Sequence, residues 1–348
     1  MNADMILTLM IVVVTISFLI DLISGVLNYL NFDKKLPENV SDIYDEKEYK
    51  KSQLYKKENF RFNLFSSSLG FVLMILILNY GLLGDLDSFL RTVSPENEIT
   101  LSLLFFGSIF IINDILTLPL QLYRVFIIEE NFGFNKMSLW TFILDKFKSY
   151  IITIIFGLIL LVPLLIFIML YPSDFWIYFW IVVSLFVVFI NMFYTSLIVP
   201  LFNKLRVLEN GDLRDKLNSF AKKVDFSLSN IFIIDGSKRS SKANAYFSGF
   251  GKNKKIVLYD TLIKNHSVDE LVAVLAHEIG HYKLKHIIQG TIIGILETGV
   301  MLFVFSKIMS DIDLFNVFGV SALSVHAGLV FFSMLYAPVS MITSIISS

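Results

Sequence analysis

The chain has 348 residues, no cysteine, 55% hydrophobic and 17% charged residues, and a mean hydropathy of +0.69. Soluble domains carry about a quarter charged residues, so the composition argues against a soluble globular protein and excludes disorder, a collagen-like repeat and a disulfide scaffold. A net charge of −1 with no basic run interleaved with aromatics gives no nucleic-acid surface, and the lack of cysteine removes thiol catalysis and thiolate metal sites.

Crossing about 30 Å of hydrocarbon takes roughly 20 apolar residues in a helix. Seven stretches qualify: Ile6–Leu30, Phe62–Leu83, Leu101–Tyr123, Tyr150–Tyr171, Phe175–Val199, Ile287–Met309 and Phe315–Ile346. A cleaved signal peptide is not expected, because nothing basic precedes Ile6. The odd-numbered connections between spans hold 27 of the 29 Lys and Arg, and the even-numbered ones hold only Arg91 and Lys307. The positive-inside rule then places the odd-numbered loops in the cytoplasm. Asp21, Asn113, Asp114, Gln121, Gln289 and Glu297 sit at membrane depth. Such groups face either neighbouring helices or a wet cavity, and both readings stay open.

The one sizeable polar insertion runs from Lys204 to His286. It reads as a helix at Asp212–Val224, an apolar strand at Ile231–Ile234, a turn-rich stretch from Asp235 to Asn244, and a second strand at Lys255–Tyr259 after the turn signal Gly251-Lys252-Asn253. A further helix follows. Ser267 and Glu270 stand at capping-box spacing immediately before Leu271–Leu275, and this helix leads into the sixth span.

That helix contains Leu275-Ala276-His277-Glu278-Ile279-Gly280-His281. Histidines at i and i+4 share a helix face, where two neutral imidazoles can hold one Zn2+ ion. Glu278, one step round, reaches an attacking water as general base. Leu271, Leu275 and Ile279 point the other way, into packing. With five histidines and twelve glutamates in the chain, the pattern arises by chance roughly 0.002 times per chain of this composition. His286 lies one residue short of the spacing that a third histidine ligand takes in metzincins, and His326 lies inside the last span; both are read as interfacial or packing residues.

These residues, together with five further segments, resemble the type 1 CAAX prenyl proteases, integral-membrane zinc metalloproteases of the gluzincin class. The segments are Glu130-Asn131-Phe132-Gly133-Phe134-Asn135-Lys136, Pro200-Leu201-Phe202-Asn203-Lys204, Asp235-Gly236-Ser237-Lys238-Arg239-Ser240, Asn244-Ala245-Tyr246-Phe247-Ser248-Gly249 and Val257-Leu258-Tyr259-Asp260-Thr261-Leu262. The resemblance spans nearly the whole chain. It implies a mainly α fold: a bundle of seven transmembrane helices around an intramembrane chamber, with a small α+β insertion between spans five and six. It also implies that Asn244, Ala245 and Tyr246 form an edge strand that grips the substrate backbone, as an unpaired strand edge does. The bland alternative is that Asn244 shapes a turn.

The family's third zinc ligand is a glutamate in a segment after the seventh span, and no such segment precedes Ser348. The expectation is a C-terminally truncated chain with two protein ligands, binding zinc weakly and inactive until extended through the missing segment; Glu297, Asp311 and Asp313 are not promoted in its place. The chain divides into 1–203 with five spans, 204–286 as the catalytic insertion, and 287–348 with spans six and seven. The function expected is zinc-dependent endopeptidase action on peptide or protein substrates within the bilayer. That action is CAAX-type C-terminal processing, with prenylation left open, or membrane-protein quality control. The rival is a non-enzymatic membrane scaffold that keeps the zinc helix. Shorter heat-shock membrane proteases have fewer spans ahead of the motif, and site-2 proteases carry it inside a span. Residue usage leans towards a bacterial inner membrane, and oligomeric state is left unassigned.

Overall fold

The computed structural model describes residues 3–32, 35–36, 45–94, 97–226, 231–248, 255–309 and 324–347, with side chains to 336. The turn signal at Gly251-Lys252-Asn253 and the acidic Asp311 and Asp313 lie outside the described residues. Two compact units are distinguished: Met1–Phe132 with Leu165–Phe175 and Met301–Ser348, and Gly133–Leu164 with Trp176–Val300.

The first unit holds α1 (Ala3–Tyr29), α2 (Glu46–Asn79), α3 (Leu82–Val93), α4 (Glu98–Tyr123) and α12 (Val325–Ser347). The sequence places the start of the second span at Phe62, yet α2 begins sixteen residues earlier. Asp45 caps it, its Oδ1 accepting from the Lys47 and Glu48 amides at 2.8 and 3.0 Å, and the Lys- and Glu-rich turns that follow are good helix formers. Helix α3 has no counterpart in the sequence reading; its Leu90 packs on Leu101 and Phe105 of α4. Pro119 in α4 lacks the amide that a regular ladder needs, and the helix continues as a π-helical turn over Arg124–Glu129.

Among the described residues six helices, where seven spans are expected, are long and apolar enough to cross a membrane: Asp4–Tyr29, Glu46–Asn79, Glu98–Glu129, Leu139–Leu170, Phe175–Phe202 and His286–Ile308. Of the seventh expected span, residues 315–323 lie outside the described residues, and the fully described part, Val325–Tyr336, is a shorter apolar helix. Ser324 and His326, at its first described turn, are buried and in polar contact with each other. The class, a membrane-helix bundle with a small mixed insertion, stands. The spans carry their large apolar side chains outward, as Ile154, Leu185 and Leu296 show, which suits hydrocarbon and not water.

The second unit holds α5 (Leu139–Leu170, up to Leu164), α6 (Phe175–Leu197, from Trp176), α7 (Val199–Phe202), β1 (Leu205–Val207), α8 (Asp212–Lys223), β2 (Ile231–Ile234), β3 (Ala245–Ser248), β4 (Lys255–Tyr259), α9 (Asp260–Asn265), α10 (Val268–Lys283) and most of α11 (His286–Ile308). Its four strands run in the order β1-β2-β4-β3, with β2 and β4 parallel and the two outer pairings antiparallel. Alternation along the strands gives the sheet two apolar faces. Ile231, Ile256, Leu258 and Phe247 meet α8, α9 and α10, while Ile234, Val257 and Tyr246 meet Val199 on the other side. Both faces being covered, the strands read as short apolar runs, and the three-residue β1 gives no signal of its own.

Candidate metal centre and substrate edge

The capping box that opens α10 is complete: the Ser267 hydroxyl accepts from the Glu270 amide at 3.4 Å, and the Glu270 carboxylate accepts from the Ser267 amide at 2.7 Å. Donation from the Ser267 amide, the larger cause, and from the Ser267 hydroxyl at 2.8 Å holds the Glu270 carboxyl below the usual carboxylate range. With the helix start fixed, Leu271, Leu275 and Ile279 bury at 1–3% exposure against the sheet. Three-residue and four-residue steps then oblige His277 and His281 to face outward, and both are exposed.

The two rings converge. Nε2 of His277 lies 3.0 Å from Nε2 of His281, with ring centroids 4.5 Å apart. Two imidazoles bound tetrahedrally to one ion at about 2.05 Å stand about 3.3 Å apart, so the pair needs only a few tenths of an ångström to take zinc. Glu278 is half-buried on the same helix. Among the described residues no third His, Asp or Glu joins a metal-holding group, and Glu297 is not brought to it. His326 is buried elsewhere, as the packing reading expects. His286 is not simply interfacial: its Nδ1 lies 2.8 Å from Nδ1 of His281.

Strand β3 is the outer strand of the sheet beside α10. The Tyr259 amide donates to the Asn244 carbonyl at 3.0 Å, so Asn244 and Tyr246 turn their main-chain groups towards β4. Antiparallel alternation then turns those of Ala245 and Phe247 to the free edge. The Ala245 amide is at present met by the Asn244 side chain at 2.9 Å. Side chains of Asn244 and Tyr246 instead line a cavity of about 490 Å³, together with Tyr194, Asn203, Arg239 and Tyr259. Burial pushes the Tyr246 phenol up to about 12, against a weaker pull from Thr195, so it stays protonated at neutral pH.

The remaining segments quoted from the sequence brace this edge. Asp235 accepts from the Asn203 side chain at 3.0 Å and the Lys204 amide at 2.8 Å. Arg239 grips Asp145 with two bonds of 2.6 and 2.8 Å and donates to the Phe202 carbonyl at 2.7 Å. Asn135 bridges Ser240, and the Lys136 amide donates to the Arg239 carbonyl at 3.0 Å. Gly236 lets the Tyr259 ring approach to where a Cβ would stand 2.3 Å from it. Asp145 carried no signal in the sequence; only the fold shows its ion pair with Arg239.

Residues 26–204 match the family model described as CAAX prenyl protease N-terminal, five membrane helices, and residues 207–345 match peptidase family M48. The chain is 36% identical to CAAX prenyl protease 1 of Saccharomyces cerevisiae, over 84% of this chain and 68% of the yeast protein. It is 34% identical to CAAX prenyl protease 1 homolog of Arabidopsis thaliana, over 89% of this chain and 74% of the plant protein. The crystal structure of S. mikatae Ste24p superposes with a TM-score of 0.91 at 30% identity, covering 98% of this chain and 84% of that one. Fold and site together therefore define a multi-pass membrane metalloendopeptidase, not a scaffold that merely keeps the motif. The chain belongs to the CAAX prenyl protease branch of peptidase family M48, and with that family comes a metal cofactor.

Proposed function

We propose that His277 and His281 hold one zinc ion, that Glu278 is the general base, and that the free edge of β3 binds the peptide to be cut. The observation that carries this is the 3.0 Å approach of the two Nε2 atoms on the exposed face of α10. Zinc, when bound, supplies a Lewis acid that polarises the scissile carbonyl. Glu278 takes a proton from the attacking water and passes it to the leaving nitrogen, so that the C–N bond breaks with a neutral amine departing in place of an amide anion and the water oxygen stays on the new carboxyl. Ala245 offers a main-chain donor and acceptor to an extended substrate, which gives affinity with little side-chain preference, and Asn244 vacates the Ala245 amide as the substrate arrives. Asn244 and Tyr246 then set what can enter the cavity beneath.

The relatives are named for CAAX prenyl proteolysis, and the reading taken is endoproteolysis of peptide or protein substrates, prenylated CAAX termini among them. Residues 204–286 form the catalytic insertion, on the cytoplasmic side by the distribution of Lys and Arg. The relatives named above are eukaryotic, which lends no support to a bacterial inner membrane. Metal analysis of purified protein tests the ligands: His277→Ala and His281→Ala should each lose zinc and peptide cleavage together. Wild-type metal content in both variants would remove these residues from the site.

A further inference from the structure

We infer that His286 is a positioning residue for the metal centre, accepting a hydrogen bond from Nδ1–H of His281 and so fixing that ligand's tautomer and ring orientation. The inference rests on the reading that His281 is a metal ligand. An imidazole that gives its Nε2 lone pair to a metal carries its proton on Nδ1, and that proton needs an acceptor. In His281 the two nitrogens are separately engaged: Nε2 lies 3.0 Å from His277, and Nδ1 lies 2.8 Å from Nδ1 of His286. For the second contact to be a hydrogen bond, His286 must accept at Nδ1 and keep its own proton on Nε2. His286 cannot join the same ion in this arrangement, because it meets His281 at the nitrogen that points away from His277.

The backbone brings this pair together against helical geometry. Residues five apart on one continuous helix point about 140° apart, so His286 would face away from His281. Helix α10 instead ends at Leu284, whose amide donates to the Gly280 carbonyl at 3.0 Å, and the Lys285 amide donates to the Tyr282 carbonyl at 2.9 Å. Lys285 takes the left-handed conformation, with φ +59°, which a residue with a Cβ rarely adopts. The chain then restarts as α11 at His286 itself. The ring contact follows, with centroids of His281 and His286 5.0 Å apart.

The test is zinc affinity of the full chain in detergent, measured by competition with a chromogenic chelator, alongside the kcat and KM of peptide cleavage. His286→Leu, which offers no acceptor, should weaken zinc binding about 10–100-fold and lower kcat with little change in KM. His286→Asn, whose Oδ1 can accept from Nδ1–H, should return affinity to within about threefold of wild type. Should His286→Leu fail to fold, His286→Lys, which only donates, takes its place with the same expectation. Equal affinities in the Leu and Asn variants, or an unchanged affinity in the Leu variant, would overturn the inference. So would loss of all bound zinc from both variants, since that would make His286 a ligand. The His277→Ala control separates the two readings: if it keeps wild-type affinity, the zinc site itself is wrong, whatever His286 does.

Discussion

Around His326 the polar groups are buried and paired among themselves, whereas around His281 the rings stand in the open with lone pairs turned towards one point. His326 is 0% exposed. Its Nε2 meets Asp87 at 2.6 Å, its Nδ1 meets the Ser102 hydroxyl at 3.1 Å, and Ser324 lies against both nitrogens. Arg91 donates to Asp87 and to Glu98, each at 2.9 Å. Burial would push the Asp87 carboxyl up, yet hydrogen bonds from His326 and Arg91 together hold it below its ordinary value. This cluster has the residue types of a nucleophilic triad and none of its access. Histidine identity therefore says little; what separates a strut from a site is whether the nitrogens are already spoken for where water cannot reach. At His277 and His281 the two Nε2 atoms meet each other and remain open to water, an arrangement that costs little and leaves room for a cation.

Breaking the first cluster should have the larger effect on stability. Replacing His326 or Asp87 by Leu or Ala strands buried charge, and removing one member of a buried pair costs about 3–5 kcal/mol. The melting temperature in detergent should fall sharply, while zinc content per folded molecule stays at the wild-type level. Equal loss of zinc in the folded fraction would show that the two clusters are not independent. A smaller change sharpens the other side of the comparison: Ser267→Ala removes the cap of α10 and should cost about 1 kcal/mol, measured by chemical denaturation. The smallest effect is on pH. Glu270 has a lowered carboxyl, so its contribution is fully present above the unfolded value of about 4.3 and is lost as pH falls through the lower folded value. The stability difference between wild type and Glu270→Gln should be flat at neutral pH and close as the medium becomes acidic; a difference that grows on acidification would reverse the assignment.

Much of the second unit was legible because its signals are local. Capping box, i/i+4 histidines and apolar strand runs each dictate one element, and all of them appear where Ser267, His277 and Ile231 place them. The spans were legible too, since apolarity over 20 residues has few other readings. What escaped depends on the third dimension. Helix α3 is amphipathic and short, so it vanishes between two longer apolar runs. The Asp145–Arg239 pair joins residues 94 apart. His286 reads from the sequence as an interfacial or packing residue because it falls one short of the metzincin spacing, and its contact with His281 depends on the left-handed Lys285, which a regular helical pattern does not announce.

In the proposed mechanism Glu278 acts beside a metal that His277 and His281 hold. Peptide cleavage and zinc content measured on the same purified Glu278→Gln sample address this most directly. The expected result is wild-type zinc with turnover reduced about 10²–10⁴-fold, the usual worth of a general base. Undiminished cleavage with zinc bound would contradict it.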